Sequence, residues 1–248
     1  MDVPGSEHHT GGPAGRARGK VAIVTGASRG IGRAIARKLA AGGDQVAGFA
    51  RDPGQLEVTR ALITADGGTF EPVVVDVTDP ESVEKAMADV ASRLGGIDVL
   101  VNNAAACLRG SLTELSAEDY DMMIMSNVNS VVYCCRSAWE HLRRRGGGVI
   151  INVSSLSSAV SSPGFSVYGA TKGFVNAFTM TLAGEGRRDG IRVYAVAPGY
   201  VRTQLLETVL PEVAADKALD PDDVAVAVHA LCGPAHRYSS GEVQYLRR

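Results

Sequence analysis

From Lys20 onward the chain alternates short apolar runs with longer stretches whose apolar residues recur at helical spacing. The runs occupy 21–24, 45–49, 72–75, 97–101, 149–153, 191–196 and 242–246. They are apolar without a polar residue at every second place, which is the pattern of strands buried on both faces. Seven such strands separated by six helical stretches predict an α/β fold, a doubly wound parallel sheet with helices on both faces and right-handed crossovers. Helix starts are punctuated accordingly. Asp79-Pro80 and Asp220-Pro221 each place a capping carboxylate before a first-turn proline, and Ser116 precedes Ala117-Glu118-Asp119. The stretch 117–145 reads as one long helix, closed by the dipole-matched triplet Arg143-Arg144-Arg145.

Residues 1–18 are rich in Gly, Pro, Ser and His and nearly devoid of apolar side chains, so they are predicted to be a disordered tail. His8 and His9 lack a third ligand, and no metal site is expected. The remainder, 19–248, reads as a single domain, a size that buries a large core. The net charge of -2 and the scattered basic residues give no electrostatic reason to expect nucleic acid as a partner. Four cysteines without Cys-x-x-Cys spacing read as free thiols of a reducing compartment. With neither a membrane-length apolar run nor a secretory leader pattern, a cytoplasmic location and no membrane partner are expected.

Chemistry enters at three places. Directly after the first strand comes Thr25-Gly26-Ala27-Ser28-Arg29-Gly30-Ile31-Gly32, then a helix. Such a loop lets backbone N–H groups approach a pyrophosphate at the helix's positive end, so a dinucleotide and a Rossmann-type fold are implied. After the second strand, where an acidic residue would accept from an NAD ribose, stand Ala50 and Arg51, with Arg29 nearby in the loop. Two guanidiniums suit a 2′-phosphate and favour NADP (NADPH) over NAD, although Asp52 is placed either to pair with Arg51 or to cap the next helix. Finally, Tyr168 and Lys172 stand one helical turn apart, so a phenol and an ammonium face one pocket. A cation beside a phenol favours the phenolate, and Ser155 is placed at a strand end to hold a carbonyl oxygen.

With Thr-Gly-x-x-x-Gly-Ile-Gly at 25–32, Asn102-Asn103-Ala104-Ala105 at 102–105, Ser155 thirteen positions before Tyr168, and Tyr168-x-x-x-Lys172, the chain resembles the short-chain dehydrogenase/reductase family from about Gly19 to Leu231. The resemblance implies a nicotinamide cofactor held by Gly26, Ser28, Arg29, Gly30, Ile31, Gly32 and Arg51 at its phosphate end. It implies adenine contacts from Asp76 and Val77, channel walls from Asn103, Ala104 and Ala105, and nicotinamide contacts from Pro198, Gly199 and Val201. Thr203 would bond the carboxamide or a phosphate. Ala105 replaces the family's usual glycine and narrows the channel slightly.

The same resemblance implies hydride transfer between nicotinamide and a ketone or secondary alcohol. Tyr168 is general acid/base, Ser155 grips the oxygen, Lys172 lowers the tyrosine's pKa and holds the ribose, and Asn127 holds a relay water. Ser154 and Asn129 are the neighbouring rivals of Ser155 and Asn127. A short substrate lid is expected near 204–220, either facing a hydrophobic substrate or packed as a short helix, and Cys107, Leu108 and Arg109 bear on specificity. Relatives akin to 3-oxoacyl-carrier-protein reductases suggest a possibly carrier-bound substrate and a homodimer or homotetramer, with the run 131–135 serving as interface or core. The end Tyr245-Leu246-Arg247-Arg248 lacks the Gly-Gly common in such reductases. An oxidative NAD(P)-dependent alcohol dehydrogenase and a non-catalytic dinucleotide-binding scaffold are the alternative readings.

Overall fold

The computed structural model describes residues 19–248; the predicted tail with His8 and His9 lies outside them. Seven strands form one parallel sheet: β1 (Val21–Thr25), β2 (Gln45–Ala50), β3 (Thr69–Val74), β4 (Val99–Asn102), β5 (Gly148–Val153), β6 (Ile191–Pro198) and β7 (Val243–Leu246). Their spatial order is β3-β2-β1-β4-β5-β6-β7. The chain therefore builds outward from β1 in one direction and restarts at β4 on its other side. Beyond the carboxyl ends of β1 and β4 this reversal opens the crevice in which such sheets bind ligands.

Successive residues of β1 point to opposite sides and both sides are apolar, which is why its sequence does not alternate. Ala22 and Val24 join the core under α1 (Gly30–Ala41), α2 (Pro53–Ala65) and α8 (Pro221–Leu231). Val21 and Ile23 join the core under α3 (Pro80–Leu94), α5 (Ser130–Arg144) and α6 (Ser166–Gly186). The Rossmann-type, doubly wound architecture is thus set by the continuous apolar runs. Asp52, Asp79, Ser116 and Asp220 all cap helices with their side chains, so Asp52 takes the capping role beside Pro53.

Two expectations need correction. β3 begins at Thr69 rather than at Pro72, and Thr69, Pro72 and Val74 are exposed, Val74 to 60%. It is an edge strand, which is also why Pro72, having no N–H to give, is tolerated there. The predicted long helix is broken: α4 (Ala117–Ile124) runs into a π-helical turn, Met125–Asn129, before α5. At that turn the Ser130 N–H reaches back five residues to the Met125 carbonyl.

The arginine triplet does close α5. Arg143 and Arg144 pair with Glu140, and Arg145 reaches Asp98. Of the run 131–135, Val131, Cys134 and Cys135 are core, and all four cysteines are free thiols. Among the described residues no helix is long and apolar enough to cross a membrane.

Candidate active site

The crevice at the sheet's carboxyl edge is a cavity of roughly 1460 Å³ that runs from the end of β2, across the loop after β1, to the start of α6. At one end the loop 26–32 turns by left-handed glycines, Gly26 at φ 67° and Gly30 at φ 54°. The turn leaves no room for side chains: a Cβ on Gly32 would stand 2.1 Å from the Gly26 carbonyl oxygen and 2.5 Å from Asn103 Nδ2. Asn103 fixes the turn by donating from Nδ2 to the Thr25 carbonyl at 2.9 Å. Thr25 Oγ1 in turn accepts from the Asn103 and Ala104 N–H groups at 2.9 and 3.0 Å. The first turn of α1 carries no side-chain cap and no acidic residue, so its N–H groups and positive end face the cavity uncompensated. This cradle of bare backbone fits the pyrophosphate of a dinucleotide.

Around the loop stand three guanidiniums. Arg51 is 80% exposed, with Asp76 at 3.9 Å. Arg29 donates to Gln204 Oε1 at 2.5 Å. Arg33, which the sequence pattern did not single out, is braced by Thr59 at 3.0 Å, by Gln55 at 3.0 Å and by the Ser28 carbonyl. Nothing in its spacing distinguishes Arg33 from an ordinary surface residue of α1; only the fold of α2 against the loop draws it in. Burial opposes ionisation of Asp76, yet the Thr78 N–H, the Thr78 hydroxyl and Arg51 together hold its carboxyl below the ordinary range. Val77 lies beside it on the same wall.

At the other end Ser155, Tyr168 and Lys172 converge. α6 begins at Ser166, so Tyr168 lies in its first turn and Lys172 one turn on. Lys172 is 3% exposed and donates from Nζ to the Val153 carbonyl at 2.8 Å, with its Nζ 5.9 Å from the Tyr168 ring centroid. Burial pushes the Lys172 pKa down to about 8, with Cys107 opposing. Tyr168 opens on the cavity, but the protein around its hydroxyl pushes its pKa above the usual phenol value. Cys107 adds to that rise and a hydrogen bond with Ser155 opposes it. The expected lowering of the tyrosine's pKa by Lys172 is therefore not what the geometry gives: withdrawal from water dominates both groups, raising the phenol and lowering the ammonium, and so moves them apart.

Ser155 faces the cavity while its rival Ser154 is buried, its hydroxyl donating to the Lys172 carbonyl at 3.1 Å. The Ser158 hydroxyl donates to the Ser155 carbonyl at 2.6 Å and accepts from Asn176 Nδ2 at 2.8 Å, which fixes the loop after β5 against α6.

Asn127 is fully buried in the π-helical turn. Its Oδ1 accepts from the Ala106 N–H at 2.7 Å, and its Nδ2 donates to the Ala106 carbonyl at 2.8 Å and to Thr171 Oγ1 at 3.1 Å. It thereby joins the loop after β4 to the helix carrying Tyr168 and Lys172. Asn129 instead donates to Met125 Sδ within its own turn.

The remaining wall comes from the segment after β6. Pro198, Gly199 and Val201 line it, and Thr203 caps α7 (Gln204–Val209) while lying against Gly30 of the phosphate loop. A Cβ on Gly30 would meet the Thr203 methyl at 3.2 Å, which brings Thr203 to the pyrophosphate end of the cavity. Ala105 lines the middle of the channel.

Residues 20–214 match the family model for short chain dehydrogenase. The chain belongs to the short-chain dehydrogenase/reductase family. Gluconate 5-dehydrogenase of Gluconobacter oxydans is 36% identical over 194 residues, spanning 78% of this chain and 76% of the relative. A 3-oxoacyl-acyl-carrier-protein reductase of Vibrio cholerae is 32% identical over 236 residues, spanning 92% and 96%. A Burkholderia cenocepacia short chain dehydrogenase solved in complex with NADP superposes with a TM-score of 0.86 at 34% identity, covering 94% of this chain and 98% of that one. As a family member the protein is an oxidoreductase acting on CH–OH and C=O groups with a nicotinamide cofactor.

Proposed function

We propose that the protein is an NADPH-dependent carbonyl reductase whose general acid is Tyr168. The observation that carries the reading is the convergence of Tyr168, Ser155 and Lys172 on the same cavity that holds the side-chain-free cradle at 26–32. Bound there, the nicotinamide cofactor supplies the hydride. Ser155 and Tyr168 hold the substrate's carbonyl oxygen, and Tyr168 delivers its proton to that oxygen. A phenol whose pKa burial has raised stays protonated at neutral pH, which suits the reducing direction. Lys172 stands beneath them to bond ribose hydroxyls. Asn127 keeps the loop after β4 and α6 in register and is the residue through which a water would return the proton to Tyr168.

Arg29, Arg33 and Arg51 gather where the adenosine 2′ position would lie, which supports NADPH over NADH. Asp76 and Val77 are the adenine wall, and Thr203 bonds a phosphate. The stretch 204–220 serves as the substrate lid of a single catalytic domain, 19–248. Phe174 and Met180, 37% and 61% exposed on α6, support a homodimer or homotetramer through that helix. The location is cytoplasmic and the substrate a small or medium ketone, free or joined to a carrier. The test is cofactor consumption, followed by absorbance, over a panel of ketones with NADPH and with NADH. Reduction with NADPH in preference to NADH is the expected result, and oxidation of alcohols alone would favour the dehydrogenase reading.

A further inference from the structure

We infer that Arg109 is the residue that selects the substrate, and that the molecules it selects carry an anionic group, a carboxylate in the first instance, away from the reacting carbon. The inference rests on the reductase reading of the cavity and names the substrate class for it.

Arg109 lies in the loop after β4 and faces the substrate half of the cavity. Its stem packs on Gly164, where a Cβ would stand 3.3 Å from Arg109 Cγ, and the adjoining Gly110 N–H donates to the Gly164 carbonyl at 2.9 Å. Phe165, next along, sets its ring edge-on to Tyr168 with 6.3 Å between centroids. The guanidinium is therefore anchored to the loop that flanks the reacting tyrosine. Cys107, two residues before Arg109, also lines the cavity and acts on both Tyr168 and Lys172. Two residues of chain span at most roughly 7 Å. Arg109 thus stays within about that span of Cys107 along the chain and lines the same cavity as Phe165 and Tyr168.

The charges lining the cavity divide into two groups. Arg29, Arg33 and Arg51 with Asp52 and Asp76 belong to the cofactor end, and Lys172 is held by Val153. At the substrate end stand, among the described residues, Arg109 and Glu212. Arg109 NH1 donates to Glu212 Oε1 at 2.6 Å, with the two side chains 48% and 56% exposed. Glu212 is a carboxylate already docked on the cavity wall, which shows that the guanidinium accepts one there. An ion pair so open to water is screened and holds only weakly. A substrate carboxylate held at both ends can displace it, because Glu212 regains full hydration when it leaves. A guanidinium also offers a planar fork that grips a carboxylate by two parallel hydrogen bonds.

The experiment compares 4-oxopentanoate, 5-oxohexanoate and 6-oxoheptanoate with their methyl esters. It measures binding by calorimetry to the NADP-loaded protein and turnover with NADPH. At least one acid is expected to bind about tenfold more tightly than its ester, a difference of about 1.4 kcal/mol. Arg109→Met should abolish that preference while leaving ester binding within twofold, and Arg109→Lys should restore part of it. Glu212→Gln should tighten acid binding by removing the competitor. Equal binding of acids and esters by the wild type, or a preference that survives Arg109→Met, overturns the inference. Acids that bind through Arg109 but are not reduced would uphold it and overturn the reductase reading instead.

Discussion

Lys172 Nζ donates to the carbonyl of Val153, the last residue of β5, at 2.8 Å. This bond pins the helix of Tyr168 to the sheet end that presents Ser155, and it holds an amine in a place almost closed to water. The folded-state pKa of about 8 lies below the value of about 10.4 expected of an unfolded lysine. Between those values the unfolded chain binds a proton that the folded chain has released, so this group's contribution to stability rises with pH across that window. Below about 8 the buried cation costs stability throughout. Urea unfolding of wild type and Lys172→Met without cofactor should show the difference between them shifting toward wild type from pH 8 to 10; a constant difference would contradict the burial argument.

On the proposed mechanism Tyr168→Phe removes the proton that the carbonyl oxygen would receive, while the ring still packs edge-on to Phe165. Turnover should fall by at least about a hundredfold, the lower range for a general acid. NADPH affinity, followed by fluorescence, should change by less than about threefold. A variant with wild-type turnover would remove Tyr168 from the mechanism.

Gly32→Ala puts a methyl 2.1 Å from the Gly26 carbonyl oxygen, against backbone that cannot step aside without opening the phosphate turn. Overpacking of this kind costs about 1–3 kcal/mol. Both the unfolding midpoint and NADPH affinity are expected to drop. The same change at Gly43, which has a positive φ but open space around it, should leave cofactor affinity untouched.

On the proposed NADPH reading, Arg51→Ala would leave Arg29 and Arg33 to face the 2′-phosphate. Because Arg51 is 80% exposed, the loss of NADPH affinity should be about tenfold, at the low end for a charged hydrogen bond. NADH affinity should hold constant, and equal losses for both would mean that Arg51 does not read the 2′ position.

Asn127→Ala strands the Ala106 N–H and carbonyl without partners in a buried place. A destabilisation of about 2–4 kcal/mol is expected from two unpaired groups, read from urea unfolding. Activity should fall as well, because the loop after β4 and α6 lose their common tie.

The sheet and its helices were legible because burial on both faces forces continuous apolar runs, and because Asp-Pro and Ser caps are local chemistry. The start of β3 was not legible because Thr69 and Glu71 are polar: Thr69 is exposed at the sheet's edge, and Glu71 is half-buried against Arg93, a partner in another element. The glycine loop, Ser155, Tyr168 and Lys172 were legible as a motif, and Ser155 was distinguished from Ser154 by spacing alone. The direction of the tyrosine's shift was not, since desolvation depends on what surrounds a hydroxyl and not on its neighbour four residues on. Arg33 and Glu212 were invisible for a similar reason: their partners lie in other elements, and Arg109 meets Glu212 across 103 positions of chain.

The π-helical turn at Met125–Asn129 holds one residue more than an α-helix would need to span the same rise. Each residue advances a helix by about 100°. The turn absorbs that rotation locally, so removing one of the five would let a plain α-helix span the rise with α5 still facing the sheet, and the cost would fall on Asn127, whose bonds to Ala106 and Thr171 depend on where the turn sets it. A chain with four residues there should therefore fold with α5 on the sheet yet lose the tie between the loop after β4 and α6, read as a lower urea midpoint.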